Sequence, residues 1–292
     1  MDQVAVLRRF NRCYTQRIGL LDESYLGTGR PLGPSRLLFE IGAEGTGVSE
    51  LRRRLGLDSG YLSRLLRQLE QDELVTVARD PADGRQRVVR LSPKGRREWR
   101  RLDKRSEQVA QRLVDPLSER QRVELASALT TADRLLRAAT VVIDLVDPRS
   151  PAARSALAEY FGELDNRFRS GFDPHDGGAD TDAAALRPPG GAFLVMFSDH
   201  APVGCGGLQR IDEHTGEIKR MWIHPGWRGL GLGHRLLARL EAVARDLGHT
   251  RIVLDTNETL LEAIAMYTRA GYQSIERYND NPYAHHWFAK NL

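Results

Sequence analysis

Residues 217–244, EIKRMWIHPGWRGLGLGHRLLARLEAVA, constrain the chain more than any other stretch. They read as a strand, a turn with glycines alternating at 229, 231 and 233, and a helix that starts as the glycines end. Glycine admits positive φ and close approach to the main chain, and the free amides and dipole of a helix amino terminus favour negative charge. The combination is a cradle for a pyrophosphate. It is not one of the other glycine-rich phosphate loops: GxGxxG would need glycine at 234 or 236, where His234 and Leu236 stand, and no lysine follows as a P-loop requires.

The surrounding pattern predicts a mixed α/β domain. VVIDLV is a short β-branched run, residues 150–168 have helical spacing, and FDPHDGGADTDAAALRPPGG is a long irregular segment. Strands are expected at 192–198, 203–211, 217–223 and 251–255, helices from about 233 to 247 and up to Gly271, and terminal strands near 273–278 and 285–290.

Residues 228–233, RGLGLG, match the Q/R-x-x-G-x-G/A motif, and Asn257, Tyr267 and the closing Gly271-Tyr272 of AIAMYTRAGY fall where that motif's family has them. Over residues 140–292 the chain resembles the GNAT superfamily of N-acetyltransferases. The resemblance implies acetyl-CoA as acetyl donor and an amine acceptor, either a small molecule or a protein lysine. It further implies that the main chain of Met221, Trp222 and Ile223 holds the pantetheine arm. Amides at Arg228, Gly229, Gly231, Gly233 and His234 would hold the phosphates, Asn257 would hydrogen-bond on the cofactor side, and Tyr267 would be the general acid. Glu217 is the candidate general base, and it reads equally as a strand-end carboxylate paired with Lys219 or Arg220. Phe168 and Phe172 either wall an acceptor site or simply pack. No cysteine adjoins the glycine turn, so direct transfer without an acyl-enzyme is expected. Adjacent His285 and His286 point to opposite faces of a strand, so no metal site is expected.

The first half has a different period. Val4, Leu7, Phe10, Tyr14, Ile18, Leu21 and Tyr25 step by three and four, predicting one helix to about Gly27. Short helices follow near Pro34 and Val48. Asp58 caps another, with Leu62, Leu65, Leu66 and Leu69 inward and a polar, basic outer face. LVTVAR and RVVRLS flank DPADGRQ as a β-hairpin, and two long helical segments run from Pro93 to Ala139. Helices followed by such a hairpin form a winged helix-turn-helix.

Through LRRRLGLDSGYLSRLLRQLEQDELVTV, Asp83-x-Arg85, and Val89-x-Leu91-Ser92 with Gly95, residues 1–139 resemble the MarR family of transcription regulators. The resemblance implies double-stranded DNA as partner, with Arg85, oriented by Asp83, in the minor groove. It also implies a homodimer through residues 4–27 and 96–139 on a pseudo-palindromic operator. Arg64, Arg67 and Gln68 can reach base edges, while Ser59, Tyr61 and Ser63 suit phosphates, and Arg87 continues the basic wing.

Charge follows this division. Residues 1–139 hold 27 basic and 19 acidic side chains, residues 140–292 hold 16 and 20, and the segment 51–100 alone holds 13 and 7. No apolar run approaches the roughly 18–20 residues that span a bilayer. The amino terminus lacks a secretory apolar stretch, so a cytoplasmic protein is expected. Cys13 and Cys205 lie in different halves, giving no disulfide framework or zinc-ligand set. The sequence thus predicts a winged-helix domain (1–139) joined to an α/β acetyltransferase domain (140–292). A regulator whose second domain only senses an acyl-CoA or an effector is the alternative.

Overall fold

The computed structural model describes residues 2–80, 84, 86–168, 171–173 and 183–292. The chain forms two compact units, Met1–Ser127 and Ala128–Leu292.

The first unit is mainly helical. Its elements are α1 (Gln3–Arg17), α2 (Leu32–Ile41), β1 (Thr46–Gly47), α3 (Val48–Leu55), α4 (Ser59–Gln71), β2 (Val75–Arg79), β3 (Arg87–Leu91), α5 (Pro93–Val114) and the start of α6 (Glu119–Thr140). The small antiparallel sheet has the order β1-β3-β2. Leu37, Leu38 and Ile41 of α2, Leu51 of α3, the four leucines of α4 and Leu102 of α5 close one core with Val89 and Leu91. Ser92 caps α5 by accepting from the Gly95 amide at 2.9 Å. At Gly95 a Cβ would stand 1.9 Å from the Leu74 carbonyl oxygen, so only glycine lets α5 pass the start of β2.

Helix α1 ends at Arg17, ten residues short of the expected Gly27. Gly19 turns to φ +66° and Leu26 to φ 54°, so the chain bends away and Tyr25–Gly27 form a single 3₁₀ turn. No residue of α1 is buried, and Val4, Leu7, Phe10 and Tyr14 are exposed.

The second unit holds β4 (Val142–Leu145), α7 (Pro151–Arg167), β5 (Gly191–Ser198), β6 (Ala201–Arg210), β7 (Thr215–Ile223), α8 (Leu232–Asp246), β8 (Arg251–Thr256), α9 (Leu261–Arg269), β9 (Gln273–Ser274) and β10 (His286–Asn291). Its sheet has the order β4-β5-β6-β7-β8-β10-β9, and β7/β8 is its parallel pair. Both faces are covered, which explains the unbroken apolar run of β5. Leu194 and Met196 pack with Leu236, Leu237 and Leu240 of α8, while Phe193 and Val195 pack with Ala153, Ala156 and Leu157 of α7. Ala138 and Val141 join the α8-side core, so the last turns of α6 belong to this unit.

The expected strand 273–278 is only two residues long. After the Ile275 amide bonds the Trp287 carbonyl, the chain lifts off the sheet, because Tyr278, Asn279 and Asn281 are drawn to carboxylates of β7 and β8. Among the described residues, no helix is long and apolar enough to cross a membrane.

Candidate active site and nucleic-acid interface

Two irregularities open the sheet of the second unit. Strand β7 pairs with β8 only from Thr215 to Ile218, so its remaining edge has no strand partner on that side. On its other side the register with β6 shifts between Cys205 and Gly207, and Arg220 takes φ 56° opposite the bulge. The strands therefore part, and a cavity of about 410 Å³ lies where they diverge. Met221, Asp255, Asn257 and Tyr267 line it, with Phe161, Phe168, Phe172 and Tyr283 on its wall.

At the end of β7 the glycine turn leads into α8. Gly229 and Gly231 both sit at φ +76°, and a Cβ at either would meet nothing within 4 Å, so the turn is open to solvent. Gly231 caps α8 with no side-chain hydrogen bond, and the first main-chain bond of the helix runs from the Arg235 amide to the Gly231 carbonyl at 3.2 Å. The amides of Leu232, Gly233 and His234 precede that bond, as donors suited to an anion. An acyl-CoA pyrophosphate fits this cradle. At Gly233 the reason for glycine differs: a Cβ would stand 2.9 Å from Met266 Sδ, where α8 passes α9.

Arg228 is anchored rather than open. Its amide bonds the Pro225 carbonyl, its Nε donates to the Ile223 carbonyl at 2.9 Å, and its terminal nitrogen meets Glu163 at 2.5 Å. Glu163 also accepts from Trp222 Nε1 at 2.8 Å and from Arg167 at 3.1 Å. Burial raises the Glu163 pKa, but the hydrogen bonds from Arg228, Trp222 and Arg167 outweigh it and hold the carboxyl below its ordinary value. No motif in the sequence marks this hub.

Tyr267 is buried on α9, and its hydroxyl points to Met221 Sδ. Burial, then the charge of Asp255, raise its pKa, so it stays protonated. Asn257 ties two segments together: its Nδ2 donates to the Tyr283 carbonyl at 2.7 Å, and its Oδ1 accepts from the Thr259 amide and hydroxyl. Glu217 does not line the cavity. It accepts from Tyr278, Asn279 and Gln209, and Lys219 stands 3.8 Å away. Asp173, Asp255 and Asp280 are carboxylates that line the cavity, together with the cations Lys219 and Arg220. The sequence reading missed Asp255, whose place at the carboxyl end of a parallel strand is the signal that could have found it.

In the comparisons, the Acetyltransferase (GNAT) family matches residues 157–272 and the MarR family residues 28–86. An IAA acetyltransferase of Azospirillum brasilense is 33% identical over 126 residues, covering 42% of this chain and 81% of that protein. The chain belongs to the GNAT acetyltransferase family. It is by that membership an acyl-CoA-dependent acyltransferase, with a MarR-family segment ahead of the GNAT unit. An uncharacterized N-acetyltransferase of Escherichia coli is 28% identical over 130 residues, covering 44% of this chain and 78% of that protein. A GNAT-family acetyltransferase structure from Staphylococcus aureus is 21% identical with a TM-score of 0.47, covering 52% of this chain and 99% of that one.

In this GNAT chain Cys205 is fully buried, which pushes its thiol up to about 12. A thiol so placed is inert as an acyl carrier. His286 opens β10 and His285 precedes it, and no group of metal ligands occurs among the described residues.

In the MarR segment α4 presents Ser59, Tyr61, Ser63, Arg64, Arg67 and Gln68 outward, while its leucines face the core. Asp58 caps the helix by accepting from the Tyr61 amide at 2.8 Å, and the Arg64 guanidinium lies 5.7 Å from the Tyr61 ring centroid. Arg87 is exposed at the start of β3. Asp83 and Arg85 lie outside the described residues.

Proposed function

We propose that residues 140–292 form an N-acetyltransferase domain carrying an acetyl group from acetyl-CoA to an amine, and that residues 1–139 form a DNA-binding regulator. The observation that carries the first part is the uncapped glycine turn at the head of α8, beside a strand edge that opens into a cavity holding Tyr267.

The amides of Gly229, Gly231, Gly233 and His234 would hold the pyrophosphate, and the free edge of Met221, Trp222 and Ile223 the pantetheine arm. Arg228 acts through its side chain, which fixes the turn to β7 and Glu163. Asn257 acts through Tyr283, by holding the cavity rim. Bound acetyl-CoA supplies an electrophilic thioester carbon. A neutral amine nitrogen forms the new N–C bond, the C–S bond breaks with its electrons going to sulfur, and Tyr267 gives that sulfur its proton. The amine's surplus proton leaves to solvent, which also restores Tyr267. Glu217, expected as general base, supports the cavity indirectly through Tyr278 and Asn279.

Coenzyme A release across a panel of amines and lysine peptides tests this reading. Acceptor-dependent release is the expected result. The engagement of Glu217 favours one rival, a domain that senses acetyl-CoA without turnover; tight cofactor binding with no release beyond hydrolysis would carry it.

For the regulator, the support is the basic outer face of α4 ahead of a hairpin. The exposed apolar side chains of α1 suit a homodimer on a pseudo-palindromic operator. A cytoplasmic location accords with both activities.

A further inference from the structure

The glycine turn is held at both ends by the end of α6. Gly229 and Gly231 lie in the left-handed region, and a Cβ at either would meet nothing within 4 Å, so nothing packed around those glycines keeps the turn in shape. Glycine backbone loses the most freedom on ordering, and the affinity of such a turn for an anion depends on how far its shape is set beforehand. Just before the glycines, a terminal nitrogen of Arg134 on α6 donates to the Arg228 carbonyl at 3.3 Å. Just after them, Arg235 in the first turn of α8 sends its two terminal nitrogens back to α6 and the residue that follows it. One donates to the Ala138 carbonyl at 2.6 Å and the other to the Val141 carbonyl at 2.9 Å. Arg134 and Ala138 are four residues apart and share a face of the helix. Carbonyls at a helix carboxyl end lack helical partners and carry its negative pole, which suits the fork of a guanidinium.

We propose that Arg134 and Arg235 are positioning residues of the acetyl-CoA site, which keep the glycine turn in its anion-binding shape by bracing it on the end of α6. Every amide from Gly229 to His234 falls between these two fixed points. Both arginines act through main-chain carbonyls, whereas Glu163 fixes the Arg228 side chain. The proposal rests on the placement of the pyrophosphate at this turn, and it extends the site to a helix ahead of the GNAT match at residues 157–272.

Titration of the full chain with acetyl-CoA and with acetyl-pantetheine, which keeps the thioester arm and lacks the pyrophosphate, tests the brace. Calorimetry reads the first ligand and ligand-observed NMR the weaker second. Arg134→Met and Arg235→Met keep the aliphatic stem and remove the donors. Each is expected to bind acetyl-CoA about tenfold more weakly, with acetyl-pantetheine affinity unchanged. Arg235→Lys, a point charge in place of the fork, is expected to fall between Arg235→Met and the unaltered protein. Arg134 is exposed, so its variant keeps the test open even if Arg235→Met fails to fold. Unchanged acetyl-CoA affinity in Arg134→Met or in folded Arg235→Met overturns the proposal, as does equal weakening of both ligands, which marks a general disturbance of the unit. Failure of the pyrophosphate placement looks different: Gly231→Ala then leaves acetyl-CoA affinity unchanged as well.

Discussion

The Tyr267 hydroxyl lies 3.7 Å from the Met221 sulfur, so the group proposed as general acid faces the strand whose free edge opens the cavity. Tyr267→Phe keeps the ring and its packing against Tyr272 and Phe288 while removing the proton. The expected result is a loss of kcat of about 10²–10⁴-fold, with little change in acetyl-CoA affinity measured by titration. Because burial raises the tyrosine above its ordinary value of 10.0, the acid form persists through the working range. The kcat–pH profile of the unaltered enzyme should therefore rise as the amine deprotonates and show no tyrosine-linked fall below that value.

Glycines 231 and 233 should respond differently to alanine. At Gly231 a Cβ meets nothing, but φ +76° costs an L-residue about 1–2 kcal/mol, and relaxation of the turn misplaces the amides of α8. Acetyl-CoA affinity should fall about tenfold with a modest drop in Tm. Gly233→Ala instead drives a Cβ toward Met266 Sδ and should lower Tm more, because α8 and α9 must separate. Paired thermal melts and titrations of the two variants check the contrast.

Local chemistry decided which parts were legible in the sequence. The leucine stripe of α4, the run of β5 and the glycine turn each state their own geometry, because period and φ requirements are properties of a few neighbouring residues. The end of α1 was misread because Ile18, Leu21 and Tyr25 continue the apolar spacing while Gly19 breaks the backbone beneath it. Asp255, Asn279 and Asn281 were missed for another reason. Their meeting depends on β10 returning beside β8, and nothing near Asp255 in sequence announces a loop more than twenty residues further on. Glu163 is the same case, since its three partners come from α7, β7 and the turn after it.

The Glu163 hub makes a prediction about acid. Its carboxyl is held below its ordinary value of 4.5 in the fold, so it stabilises the folded state above that value and loses the contribution as pH falls through its lower folded pKa. Glu163→Gln removes the charge but keeps the shape. At neutral pH the variant should be about 1–2 kcal/mol less stable, a figure reduced for the partial exposure of Arg228, and the deficit should shrink on acidification. Denaturant melts of both proteins at neutral and acidic pH measure it.

The basic outer face of α4 predicts a salt-dependent interaction with DNA. Arg64, packed on Tyr61, and Arg67, tied to the Ser63 carbonyl at 3.3 Å, are held outward on a capped helix. A side chain contacting only phosphate contributes equally on every sequence, and its loss lowers the salt slope by about 1. A side chain reading a base edge loses about 1–3 kcal/mol on the preferred site and little elsewhere. Arg64→Ala and Arg67→Ala, titrated against genomic fragments at several salt concentrations, should each weaken binding, and the slope separates the two roles. Unchanged affinity in both variants would leave the winged unit without a DNA-reading helix and reduce it to a platform for dimerisation.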